Sequence, residues 1–144
     1  MRVTVVLLAA FVGSLGAQVR PEARLGLVAR NANYRAEAGL GLDGTLGPYL
    51  RSGLVATYEV FNAAFETPRA RAEVQVRFLL DPLAEHRWGM SLGGGLGVQE
   101  RPYMLFVADL EGPRLGRVRP AIQFAMGGGT RLAIVARGTR PNRR

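Results

Sequence analysis

The segment from Ala70 to Leu80 alternates without a break: Ala70, Ala72, Val74, Val76, Phe78 and Leu80 are apolar, and Arg71, Glu73, Gln75 and Arg77 stand between them. A backbone whose side chains repeat every two residues puts these sets on opposite faces, which is the geometry of a β-strand. A second run follows, with Trp88, Met90, Leu92, Leu96 and Val98 on one parity and Arg87, Gly89, Ser91, Gly93, Gly95, Gly97 and Gln99 on the other. The glycine-rich face is the strongest constraint. A solvated strand surface carries Thr, Lys and Glu, whereas the inner wall of a narrow closed barrel needs small and hydrogen-bonding groups. The two runs together predict an all-β chain that closes into a small transmembrane barrel.

Polarity decides which face meets lipid. An arginine on the outer face of a barrel at the bilayer midplane costs about 2–4 kcal/mol. Turning the strand at 70–80 around would expose Arg71 and Arg77 to lipid, so its apolar face is expected outside. The rest of the chain divides at turn-forming clusters of Gly, Pro, Asn and Asp, as an all-β chain does. Eight strands are expected near residues 24–30, 35–43, 49–61, 70–80, 87–99, 103–110, 118–126 and 131–137. About ten residues rising about 3.3 Å each at a tilt of about 45° cover roughly 23 Å, close to the apolar band of about 25 Å in outer-membrane barrels. The sixth segment is ambiguous, because Tyr103, Met104, Leu105, Phe106 and Val107 are apolar on both parities. Pro120 marks a strand start or a distorted edge.

The first residues, MRVTVVLLAAFVGSLGAQ, combine one charge at Arg2, an apolar stretch from Val3 to Val12, and small residues before Gln18. This is the pattern of a secretory signal peptide over residues 1–17. The barrel then occupies residues 18–138, and a basic tail covers residues 139–144. The apolar stretch is well short of the roughly 20 residues of a transmembrane helix. With no cysteine, neither a disulfide framework nor a thiolate metal site is possible. All 19 basic residues are arginine, against 11 acidic ones, for a formal charge of +8. Nucleic-acid binders concentrate such charge in a patch or stripe, whereas here it is spread along the chain, so no nucleic-acid partner is expected. The expected environment is the lipid of an outer membrane.

The export signal, the two-faced strands and their number resemble the small eight-stranded outer-membrane barrels of the OmpA and OmpX type, over nearly all the chain after the leader. The resemblance implies an up-and-down antiparallel barrel with both termini at one end and a polar interior filled by side chains. Two features differ from the pattern common in that family: the chain ends RLAIVARGTRPNRR rather than on an aromatic residue, and the connections after strands one, five and seven are short.

Inside such a barrel Glu37, Arg51, Glu59, Arg71, Glu73 and Arg77 are expected to form a cross-strand network on the lumen wall, because an unpartnered buried charge costs several kcal/mol. Trp88 and Tyr103 are expected at the membrane interfaces, where amphipathic aromatic rings collect. No catalytic, cofactor-binding or metal-ligating set is expected. His86, the single histidine, stands near Ser91, and a lipid A modifying enzyme is the third reading after a lipocalin-like carrier that would hold an apolar ligand inside. Gly93–Gly97 lacks the Lys and Ser or Thr of a phosphate loop. The leading expectation is a non-enzymatic outer-membrane protein with a structural, surface-interaction or envelope-integrity role. Export should remove residues 1–17. Mass spectrometry of the exported protein is expected to find Gln18 at its N-terminus, and an intact Met1 would rule out the cleaved leader.

Overall fold

The computed structural model describes residues 19–31, 33–60, 69–81 and 87–139. The expected leader, His86 and all but Thr139 of the basic tail lie outside the described residues. The described chain forms eight strands: β1 (Arg20–Arg30), β2 (Asn33–Thr45), β3 (Leu50–Val60), β4 (Arg69–Leu79), β5 (Gly89–Val98), β6 (Pro102–Glu111), β7 (Val118–Met126) and β8 (Thr130–Gly138). Each pairs antiparallel with its sequence neighbours, and β8 closes on β1, giving an up-and-down barrel. The closing seam runs from Glu22 opposite Arg137 to Ala29 opposite Thr130. Closure leaves no strand edge with unpaired backbone groups.

The chain enters β1 and leaves β8 at the same end of the barrel, called here the terminal end. At the opposite, far end three connections between described strands are short. Arg30 pairs with Asn33, and between them Asn31 takes a left-handed φ of 48°, which asparagine tolerates. Val98 pairs with Pro102 across residues 99–101. Met126 pairs with Thr130 across three glycines, Gly127, Gly128 and Gly129, whose φ angles of 121°, 63° and 120° need residues without a Cβ. Two of the expected strands start later than the observed ones: β1 begins at Arg20 rather than 24, and β2 at Asn33 rather than 35.

The alternation on β4 is reproduced in burial, with Arg71, Glu73, Gln75, Arg77 and Leu79 buried and the residues between them exposed. On β6, Leu105, Val107, Asp109 and Glu111 point inward, with Met104, Phe106 and Leu110 outward. Both of its parities read as apolar because the inward residues Leu105 and Val107 pack with Ala125 and Tyr103 inside the barrel. Pro120 is the third residue of β7 rather than its start. Its carbonyl accepts a hydrogen bond from Gly112 N at 2.8 Å, just beyond the β6–β7 ladder, which begins at the pair Glu111 and Ala121. Its missing N–H therefore costs the sheet no ladder bond.

The inward glycines of β5 are required by close approach. Gly93 and Gly95 lie opposite Arg77 and Gln75 of β4. A Cβ on Gly93 would strike Val76 O and Arg77 Cα, and one on Gly95 would strike Val74 O and Gln75 Cα. These are backbone atoms and cannot swing aside. Replacing Gly93 by valine is expected to destabilise the barrel by about 1–3 kcal/mol, the usual cost of overpacking. A urea titration of the folded protein reads this directly, and a midpoint equal to that of the parent chain would contradict the close approach.

Candidate functional site

The most distinctive chemistry lies in the interior. Among the described residues, seven arginines (24, 51, 71, 77, 119, 131 and 137) and seven carboxylates (Glu22, Glu37, Asp43, Glu59, Glu73, Asp109 and Glu111) are buried. This buried set is formally neutral. The surplus of +8 carried by the whole chain therefore stands outside this buried set.

The ion pairs form two groups along the barrel axis. Toward the terminal end, Arg77 reaches from β4 across the lumen, donating to Asp43 on β2 and at 2.7 Å to Asp109 on β6, with Glu22 of β1 at 3.7 Å. Arg137 on β8 donates to Glu22 at 2.8 Å and to Glu111 and Asp109 at 2.7 Å each. Arg51 pairs with Glu111, and Arg24 with Glu22. Arg119 lies 3.2 Å from Glu111, Gln123 donates to Asp109 at 2.8 Å, and Ser91 Oγ lies 3.4 Å from the same carboxylate. Toward the far end, Arg71 donates to Glu59 and, at 3.3 Å, to Glu37. Glu73 pairs with Arg131 and accepts from Gln75 at 2.9 Å and from Tyr103 at 2.6 Å.

Each of these groups joins strands that are not neighbours in the sheet. Arg77 ties β4 to β2 and β6, and Arg137 ties β8 to β6. Charge-assisted bonds of this kind are shorter and stronger than neutral ones. In a medium of low dielectric they hold the barrel's cross-section as a set of spokes. Between the inward Arg119, Gln123, Arg131 and Arg137 of β7 and β8, Ala121, Ala133 and Val135 pack together as a small apolar cluster.

All six residues expected on the lumen wall, Glu37, Arg51, Glu59, Arg71, Glu73 and Arg77, are buried inside the barrel. Sequence reasoning missed Glu22, Arg24, Asp43, Asp109, Glu111, Arg119, Arg131 and Arg137. Glu22 and Glu111 fall outside the expected strand bounds, and Arg24, Asp109, Arg131 and Arg137 share their inward face with apolar or small residues that hide a two-faced pattern. Trp88 is exposed at the terminal end, where Tyr49 stacks on Phe78 at 5.8 Å between ring centroids. Tyr103, expected at a membrane interface, instead turns inward. Its hydroxyl is bound to Glu73, and its ring covers Gly97 and Gly128, since neither glycine has a side chain to exclude it.

Above this ring, side chains of several strands meet at the far mouth. Arg30 donates to Gly128 O and, at 2.8 Å, to Gln99, which donates in turn to Glu59 at 3.0 Å. Arg35 reaches the same Glu59 at 3.3 Å. The inward positions thus carry the charged set, and the carrier arrangement with an apolar interior is not the one observed among the described residues. An apolar depression lies on the outer wall, where Ala23, Ala38, Ala56 and Ala70 sit low beside Leu25, Leu40 and Tyr58.

Neither models of known protein families nor curated proteins give a match to this chain.

Arg77 contacts three carboxylates, so its loss leaves buried negative charge without a partner. Arg77→Met is expected to cost about 3–5 kcal/mol, read by urea unfolding. Adding Asp43→Asn to that variant should recover part of the loss. A single variant as stable as the parent would show that the spokes carry no load.

Proposed function

We propose that this chain is a small outer-membrane β-barrel that catalyses no reaction and serves a structural, surface-interaction or envelope-integrity role. The observation that carries this reading is the reversed polarity of the wall. Buried positions hold the arginines and carboxylates, while Leu25, Leu40, Met104 and Ile134 on the outside are 68–81% exposed. The exposed apolar side chains occur on all eight strands. Patches of this extent are far beyond the few hundred Å² normal for a soluble monomer, and hydrocarbon is the surrounding that makes them favourable. The apolar leader from Val3 to Val12 supports export to such a membrane.

The interior supports a closed barrel rather than a pore. Eight strands enclose a space just wide enough to be filled by side chains. Here the filling is ionic, balanced, and capped at the far mouth by Tyr103, Arg30 and Gln99. The short far-end connections of β1–β2, β5–β6 and β7–β8 offer little surface to a partner, which favours the envelope role over adhesion.

Fractionation of the expressed protein, followed by heated and unheated samples on a denaturing gel, tests this reading. The protein is expected in the membrane pool with a heat-dependent mobility shift, and without stepwise conductance in a planar bilayer. A mature protein that stays soluble and monomeric without detergent would overturn it.

A further inference from the structure

At the terminal end, the connection between β6 and β7 is a rigid hairpin rather than a loose loop. Leu115 and Val118 exchange backbone hydrogen bonds at 2.8 and 3.1 Å, and Gly116 takes a φ of 61° at the turn. Arg114 Nε donates to Gly116 O at 3.1 Å. Thr139 binds the hairpin from the end of β8, its N–H donating to Arg117 O at 2.8 Å and its hydroxyl to Gly116 O at 3.2 Å. From below, the buried Arg119 guanidinium donates to Gly112 O at 2.9 Å and to Arg87 O at 3.1 Å, fixing this hairpin to the residues that lead into β5.

This rigid element presents an unusual surface. Leu115 is 66% and Trp88 62% exposed, and a Cβ on Gly112 would lie 3.8 Å from the Trp88 ring, so the indole sits against the hairpin's base. Arg114 and Arg117 flank Leu115 in sequence, with Arg87 next to Trp88. Asp81 is the exposed carboxylate described at this end. An apolar side chain and an indole held firmly beside guanidinium groups match a membrane interface, where the rings and chains enter the headgroup layer and the charges meet phosphates.

The geometry points to a docking surface for the headgroups of anionic phospholipids, made by Trp88, Arg114, Leu115 and Arg117 on the leaflet at the terminal end. Charge complementarity selects the occupant. The ion pairs of the buried carboxylates are made with interior arginines, and among the described residues none of them engages Arg114 or Arg117. Each arginine near an anionic surface corresponds to about a fivefold preference. This inference rests on the membrane reading proposed above.

Trp88 is the single tryptophan of the chain, so its fluorescence reports on this site alone. The full mature protein is reconstituted into phosphatidylcholine bilayers containing either brominated phosphatidylglycerol or brominated phosphatidylcholine, whose bromines quench an indole on contact. Phosphatidylglycerol is expected to quench at an at least fivefold lower mole fraction. Arg114→Gln/Arg117→Gln should abolish the preference and Arg114→Lys/Arg117→Lys should keep it, with the heat-shift gel establishing that each variant is folded. Equal quenching by the two lipids, or a preference that survives the glutamine variant, overturns the docking surface while leaving the membrane barrel in place. Absence of quenching by either lipid also overturns the docking surface, whereas a protein that fails to incorporate into the bilayers removes the membrane reading itself, and the docking surface with it.

Discussion

The structure depends on one electrostatic constraint: an interior with seven buried arginines is tolerable only because seven buried carboxylates meet them. Desolvating each ion costs several kcal/mol, and mutual attraction in a low-dielectric interior repays this only with good geometry and hydrogen bonds. The barrel supplies that geometry by placing acids and arginines on strands across the lumen, as Arg77 between Asp43 and Asp109 illustrates. Once the charge is internally balanced, the outer wall is free to be wholly apolar. The arginines left over are then confined to the barrel's ends and its flanking segments.

Glycine is the steric counterpart of that balance. Long arginine and glutamine side chains from β4 fit because β5 presents Gly93, Gly95 and Gly97 toward them. The same device places Tyr103, whose ring lies over Gly97 and Gly128 while its hydroxyl serves Glu73. The filled cross-section is therefore a consequence of that packing.

The fold was legible where one face was uniformly polar or glycine-rich. β4 and β5 alternate so cleanly that their inward and outward faces could be assigned from residue type alone, and the lumen position of Glu73 and Arg77 followed. β6 and β8 resisted because the interior is not wholly polar. Val107, Ala133 and Val135 point inward as small apolar packing, so side-chain chemistry no longer distinguishes the faces, and Asp109 and Arg137 beside them went unrecognised. Tyr103 was misplaced for a related reason: an aromatic at a strand end suits an interface, and only the register that puts it opposite Gly97 reveals the room inside. The pairing of arginines with particular carboxylates depends on strand stagger, which no local pattern contains.

The measurement that tests the reversed polarity most directly uses the absence of cysteine. Single cysteines placed in turn at residues 104–110 of β6 in the reconstituted protein, each carrying a nitroxide label, give oxygen and water accessibility residue by residue. The account requires a period of two, with oxygen-rich, lipid-exposed labels at 104, 106, 108 and 110 and protected labels at 105, 107 and 109. Water accessibility at 104 and 106 would contradict it and place those apolar side chains outside any membrane.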